Sequence, residues 1–292
     1  MKKPILSIII PTHNSDQTIE RCIRSLTSQS FPREKFEIIV VDDGSKDQTS
    51  SLAKKAGADK VIITEPCFQG KARNIGVENA NGNLLGFIDS DCEAKDGWVE
   101  TIIKELETLN AISGPIENGN PQSKVAWAEY FVEFCAFNEF KKRSSIRTMP
   151  GCNIACLKES FSKAGGFSEV PLSEDIMFSQ SLRREGFEQI FVPEMQIRHL
   201  CRTDPNKFLD NHKLLGRFFV RNRKSNASEQ SQLLIRNQIF IPIIFVGKVL
   251  KSINYSIQAR KTRKFISSLL WIIKANIVYC EGILEERKNG KA

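Results

Sequence analysis

Apolar residues run along this chain in two rhythms. In the first ninety residues, short and nearly unbroken apolar runs at 5–10, 36–41, 61–64 and 84–88 have the length and β-branched content of buried strands. Between them the apolar positions are spaced for helices. Ile19, Cys22, Ile23 and Leu26 share one face of a helix expected over 15–30. Further helices are expected over 48–56 and 71–80, the last leading through the Asn81-Gly82 turn into the fourth strand. Continuous apolar strands alternating with helices predict an α/β fold, a mostly parallel central sheet flanked by helices on both faces. Such sheets bind ligands outside the carboxyl ends of their strands, and residues 11–14, 42–45 and 89–91 fall on that edge. The middle of the chain is less regular. It predicts an aromatic-rich helix over 125–142, a strand over 151–156 and a turn at Gly165-Gly166-Phe167. A helix over 173–185 follows, with Glu174 and Asp175 in its first turn, then a strand over 190–192. After Pro205 the pattern is helical throughout.

The fourth apolar run ends abruptly in Asp89-Ser90-Asp91. Two unpaired carboxylates inside a strand would be costly to bury, so they are expected at its mouth. A divalent cation and a phosphate-bearing ligand could sit there, since Mg²⁺ is commonly held by one or two carboxylates plus substrate phosphates. Two blander readings compete. Asp96 could cap a helix beginning near Gly97, leaving 89–100 an ordinary loop. A calcium loop would take Asp89, Asp91, Glu93 and Glu100 as ligands, but its turn glycine is Ala94 here, and a strand precedes where a helix should. Gly70-Lys71 lacks the GxxxxGK[ST] of a phosphate loop, and no G-x-G-x-x-G follows the first strand, which disfavours a dinucleotide enzyme.

Charge changes the picture of the last third. Of the 292 residues 41% are hydrophobic and 26% charged, as in a globular protein, and the net charge is +8. Residues 205–292 hold 17 basic and five acidic side chains, whereas 1–204 hold 25 basic and 29 acidic. An acidic body with a basic tail suggests an anionic partner for the tail. Two tail stretches, 239–246 and 265–280, are apolar but shorter than the ~20 residues of a spanning helix. The basic clusters Arg221-Asn222-Arg223-Lys224 and Arg260-Lys261-Thr262-Arg263-Lys264 flank them. That combination suits helices lying on an anionic membrane surface, against the alternative of a hairpin buried on the body or in a dimer. Nucleic acid is disfavoured, because the tail's aromatics sit inside apolar runs rather than beside the cations. The eight cysteines are scattered without paired CxxC spacing, which argues against zinc and against a disulfide framework. The apolar run after Lys2-Lys3 stops at Pro11, too early for a signal peptide, so a cytoplasmic, reduced setting is expected.

Ser7-Ile8-Ile9-Ile10-Pro11-Thr12-His13-Asn14, Ile39-Val40-Val41-Asp42-Asp43-Gly44-Ser45, Gly70-Lys71-Ala72-Arg73-Asn74 and Asp89-Ser90-Asp91 resemble the ordered motifs of family 2 glycosyltransferases. Gly151-Cys152-Asn153, Gly165-Gly166-Phe167 and Ser173-Glu174-Asp175 continue the series, so the resemblance covers roughly 5–200. It implies a GT-A type fold, a nucleotide-diphosphate sugar donor, Mn²⁺ or Mg²⁺, and a hydroxyl acceptor such as a glycan or lipid-linked glycan. Inversion at the anomeric carbon is the family's usual outcome. Carried over by position, Asp89 and Asp91 hold the metal and the donor's diphosphate. His199 is a further metal ligand, or a packing histidine. Asp43 accepts a hydrogen bond from the nucleobase, framed by Pro11 and Thr12, or merely closes a turn. Lys71 and Arg73 lie near the donor phosphates at a helix N-terminus, or on a solvated face. An inverting transfer needs a base for the acceptor hydroxyl. The resemblance gives that role to Asp175, with Glu174 second, while the blander reading has both charging a helix start.

The expected organisation is a catalytic domain over 1–204, with the nucleotide-sugar side at roughly 1–110 and the acceptor side at 111–204, and a basic, apolar helical extension over 205–292. The expected setting is envelope or polysaccharide assembly at or near the cytoplasmic face, with oligomeric state left open. Two rivals remain: a non-catalytic scaffold that keeps the nucleotide pocket, and a sugar nucleotidyltransferase. The latter would want a glycine- and basic-rich loop where this chain has Pro11-Thr12-His13-Asn14.

Overall fold

The structure, a computed structural model, describes residues 3–226 and 241–289, and of 222–226 the backbone alone. The apolar stretch 239–246 therefore lies partly outside the described residues, as do the side chains of Asn222, Arg223 and Lys224.

The chain opens as β1 (Leu6–Thr12), α1 (Ile19–Thr27), β2 (Phe36–Asp42), α2 (Thr49–Ala56), β3 (Lys60–Ile63), α3 (Phe68–Glu78) and β4 (Leu84–Ile88). It continues with β5 (Cys92–Ala94), α4 (Trp98–Glu105), β6 (Ala111–Ser113), β7 (Ile116–Asn118), α5 (Lys124–Glu129), β8 (Ser144–Ser145) and β9 (Asn153–Leu157). Then come α6 (Lys158–Lys163), α7 (Glu174–Arg184), β10 (Gln189–Phe191), β11 (Ile197–His199) and α8 (Pro205–Asn226). Two long helices close the chain, α9 (Ile241–Gln258) and α10 (Thr262–Asn289).

Eight strands form one sheet in the order β3-β2-β1-β4-β9-β6-β10-β8. The first four are mutually parallel, β9 runs antiparallel to β4 and β6, and β10 is parallel to β6. β1 and β2 are buried along their whole length, as apolar central strands should be. Both reach past the apolar run to Thr12 and Asp42, which pair at the rim, where polar side chains meet the loops. A second sheet, β5-β11-β7, sets His199 opposite Cys92 in an antiparallel pair. This register joins residues more than a hundred positions apart, beyond the reach of local pattern.

The expected helix over 125–142 is broken. α5 is capped by Ser123 Oγ, which accepts the Ala126 N–H at 3.2 Å; a π-helical turn over Tyr130–Phe134 and a 3₁₀ turn over Cys135–Phe137 follow, and the chain turns extended at Asn138. The edge-on Trp127–Tyr130 and Tyr130–Phe131 contacts, at 5.4 and 5.5 Å, belong to an aromatic cluster that also takes in Phe265.

Two compact units result: Met1–Glu117 with Glu139–Leu200, and Asn118–Asn138 with Cys201–Ala292. The segment 118–138, expected on the acceptor side of the first domain, clusters with the helical unit because its aromatic residues share a core with Phe208, Ile272 and Ala275. Within that unit α8 and α10 run close together. A Cβ on Gly216 would lie 2.0 Å from the Tyr279 carbonyl oxygen, and one on Gly282 2.1 Å from that of Lys213, so only glycine permits the approach. Lys213 and Arg217 pair with Glu285, and Arg221 with Glu286. These pairs carry α10 well past the apolar run 265–280 that marked it in the sequence.

Candidate active site

The loops after β1 and β2 are tied to each other. The Asp43 N–H donates to the Thr12 carbonyl at 2.8 Å, His13 Nδ1 lies 2.6 Å from the Asp43 carbonyl oxygen, and the Asn14 N–H donates to Ser45 Oγ at 2.8 Å. Pro11 and Thr12 end buried beneath this rim. The neighbouring acids divide. Asp42 closes its own turn through the Ser45 N–H and the Ser50 hydroxyl. Asp43 instead accepts the N–H groups of Cys67 and Phe68, where α3 begins, so it fastens that helix start to the carboxyl edge of the sheet. Each of its oxygens has a second lone pair for a ligand.

α3 carries Arg73 into the centre of the site. The guanidinium is 1% exposed; Nη2 donates to Asp89 Oδ1 at 2.7 Å and Nη1 to Glu174 Oε1 at 2.6 Å, with the Phe167 ring 5.2 Å away. Burial works against its charge, and the two carboxylates more than restore it, raising the guanidinium pKa above its ordinary value. Arg73, expected beside the donor phosphates, is therefore shut away from solvent and joins the two acidic motifs. Lys71, two residues earlier, is half exposed and pairs with Glu169 at 3.5 Å. Burial pushes the Asp89 carboxyl above its ordinary range, against the pull of Arg73. The adjacent Ser90 hydroxyl meets that of Ser15 at 2.9 Å, tying the acidic loop to the loop after β1.

The β5–β11 pairing places His199 beside Asp91, with Nε2 3.6 Å from Oδ1, and the Leu200 N–H donates to the Asp91 carbonyl at 2.8 Å. Asp91, Cys92 and His199 offer ligand atoms within 4.8 Å of one another. The Asp91 side chain is 37% exposed, while Cys92 is fully buried. Burial pushes the Cys92 thiol well up, and its sulfur lies 3.7 Å from Asp91 Oδ1. The three residues thus offer a partly exposed carboxylate, an imidazole and a buried thiol. Asp89 lies outside the triad, its Oδ1 engaged by Arg73.

Asp175 stands at the other side of Arg73. Leu172 and Ser173 both adopt positive φ, 64° and 66°, so the chain enters α7 through a sharp turn and Ser173 makes no side-chain cap. Asp175 Oδ2 accepts the Gly151 N–H at 3.0 Å and Oδ1 the Ile176 N–H at 2.7 Å. Burial, followed by the nearby Glu174 charge, pushes its carboxyl up to about 6. A carboxylate with such a value suits a general base near neutral pH. Gly151 is required by packing as well, since a Cβ there would stand 3.0 Å from Arg73 Nη2.

The family model for Glycosyl transferase family 2 matches residues 7–165. Glycosyltransferase AglE of Haloferax volcanii is 32% identical over 209 residues, 68% of this chain and 68% of AglE. The chain belongs to glycosyltransferase family 2. Its fold is that of GT-A glycosyltransferases. The structure of mannosyltransferase PcManGT from Pyrobaculum calidifontis, in complex with GDP-Man and Mn²⁺, matches with a TM-score of 0.66 and 17% identity, over 100% of this chain and 89% of that one. Staphylococcus aureus TarS 1-349, in complex with UDP-GlcNAc, matches with a TM-score of 0.53 and 17% identity, over 97% and 92%.

Within this glycosyltransferase, the sequence motifs marked these acids but not the residue on which the two motifs meet. The Arg73 bridge spans sixteen residues to Asp89 and 101 to Glu174, and no local pattern reports it. Gly151 stood in a recognised motif without a role. Its N–H on Asp175 and its contact with Arg73 supply one. Asn153 in the same motif is buried, accepting the Trp98 indole N–H at 3.0 Å and donating to the Met195 carbonyl at 2.9 Å. It anchors β9 rather than facing a ligand.

Proposed function

We propose that this enzyme is a metal-dependent, inverting glycosyltransferase that moves a sugar from a nucleotide-diphosphate donor to a hydroxyl acceptor. The observation that carries the reading is the pair of acidic motifs held on one buried guanidinium at the carboxyl edge of the sheet. The GDP-Man and UDP-GlcNAc complexes of its structural neighbours support a sugar nucleotide as donor, and the Mn²⁺ of the first supports a metal. Asp43, with Pro11 and Thr12 around it, receives the base, and Lys71 stands at the α3 N-terminus near the diphosphate. Asp89 turns its free oxygen to the donor while Arg73 grips the other. Asp91 and His199 would hold the ion, which when bound neutralises charge on the departing nucleoside diphosphate. Asp175 takes the proton of the acceptor hydroxyl as its oxygen attacks the anomeric carbon from the face opposite the leaving group. Gly151 and Arg73 fix where that carboxylate stands. The acceptor on this reading is an envelope glycan or lipid-linked glycan handled at the cytoplasmic face.

Incubation with a panel of UDP-, GDP- and dTDP-sugars, with and without Mn²⁺, tests this reading. The expected result is metal-dependent release of nucleoside diphosphate, lost in Asp91→Ala, with a product of inverted anomeric configuration by proton NMR. Release of pyrophosphate would point instead to a sugar nucleotidyltransferase. Nucleotide binding without turnover on any acceptor would favour a scaffold, and an Asp91→Ala protein at the parental rate would remove the metal from the account.

A further inference from the structure

The helical unit carries its own surface chemistry, independent of the transfer reaction. From Ile241 to Cys280 the chain has seven basic residues and not one Asp or Glu. α9 buries Ser252 and Ser256, and Ala259 just beyond it, while Ile243, Val246, Leu250, Ile253 and Ile257 are exposed. Those five recur at intervals of three and four residues, which places them on one stripe facing away from the buried side. α10, packed against α9, buries Phe265, Ile272, Ala275 and Tyr279 and exposes Ile266, Leu270 and Ile277. These eight side chains are 37% to 64% exposed, an apolar stripe on each helix of the kind that marks an interaction face. Lys251 and Lys274 are exposed on the same helices, and Arg260, Arg263 and Lys264 surround the connection between them.

Three occupants fit an apolar stripe, and charge separates them. A second copy of this chain across a two-fold axis would oppose the same cations to one another, with no acid on either helix before Glu281 to offset them. A membrane-spanning role is available by length to one helix among the described residues, α10, with a mean hydropathy of 1.3 over 18 residues. That window is 44% buried inside the unit, and the helix end is tied to α8 through Glu285 and Glu286, so spanning would dismantle the packing that defines the unit. An anionic bilayer surface takes both features at once: apolar side chains enter the headgroup boundary and cations meet lipid phosphates. We propose that α9 and α10 form a docking surface for an anionic lipid bilayer and lie along it rather than across it.

Flotation of the full chain with phosphatidylcholine vesicles, with and without phosphatidylglycerol, tests this directly. The protein is expected to float with the anionic vesicles only, to be released by high salt and alkaline carbonate, and to run as a monomer in solution. Leu250→Glu with Ile257→Glu should abolish flotation while leaving the melting temperature and nucleotide binding unchanged, because both sites are exposed. Lys251→Gln and Lys274→Gln should each weaken partitioning about fivefold. The proposal is overturned if the double Glu variant still floats, if neutral vesicles serve as well, or if carbonate fails to release the protein. It is equally overturned if Leu250→Glu only splits a dimer that never floated.

Discussion

The two acid pairs at the sheet edge look alike in sequence and are built to the same plan from opposite sides. In Asp89-Ser90-Asp91 the first acid grips Arg73 and the second, exposed, faces His199. In Glu174-Asp175 the first acid again grips Arg73, and the second is held by the Gly151 N–H with its proton affinity raised. One buried guanidinium thus pairs with one carboxylate from each motif and leaves the second acid of each unpaired with it, the acid to which the proposed function gives the metal or the proton. The pairs differ in what surrounds the second acid. Asp91 meets solvent and an imidazole, a setting for a cation, whereas Asp175 stands among buried groups beside a like charge, a setting for a proton.

The largest effect expected is on the proton side. Asp175→Asn should lower kcat about 10²- to 10⁴-fold, the usual worth of a positioned base, without weakening nucleotide binding. The sign of the pH dependence follows from the raised pKa. As the proposed base, Asp175 would act only when ionised, so kcat should rise tenfold per pH unit below about 6 and level off above it. A pH–rate profile for the parent and Asp175→Glu checks this, since only the parent should break near 6.

Next in size is the shared centre. Arg73→Met leaves Asp89 and Glu174 buried without their counter-charge and should destabilise the protein by about 3–5 kcal/mol in urea unfolding. Adding Glu174→Ala to that variant should cost less than the sum of the two single changes, because each single change already breaks the pair. Gly151→Ala comes third, at about 1–3 kcal/mol of overpacking against Nη2, with a fall in kcat as the Asp175 N–H partner shifts. Cys92→Ala sits at the small end. If the protonated thiol is no ligand, the Mn²⁺ concentration giving half-maximal activity should stay within about twofold of the parent.

Legibility follows the same division. Strands 36–41 and 84–88 and the helices between them were readable because a buried parallel sheet writes near-continuous apolar runs, and Leu84–Ile88 has the predicted ends. α1 starts at Ile19 rather than 15 because the backbone at Thr18, with φ −128°, departs from helical geometry. The broken helix at 125–142 was unreadable because its apolar pattern serves an aromatic cluster that includes Phe265, far along the chain. The acids were visible as short motifs, one at a strand end and one at a helix start. Arg73 looked like a phosphate ligand because a cation at a helix start carries no local sign of being buried. The Asp91–His199 meeting depends on the pairing of Cys92 with His199 across 107 positions, which only the assembled sheet reveals.

The claim that one acid of each motif is structural and the other chemical is tested most directly by crossing two readouts, melting temperature and single-turnover donor consumption, on Glu174→Ala and Asp175→Asn. The account predicts that Glu174→Ala melts several degrees lower and keeps much of its turnover per folded molecule, while Asp175→Asn melts with the parent and consumes donor about a hundredfold or more slowly. Asp175→Asn at full turnover, or Glu174→Ala with parental melting and no turnover, would contradict it.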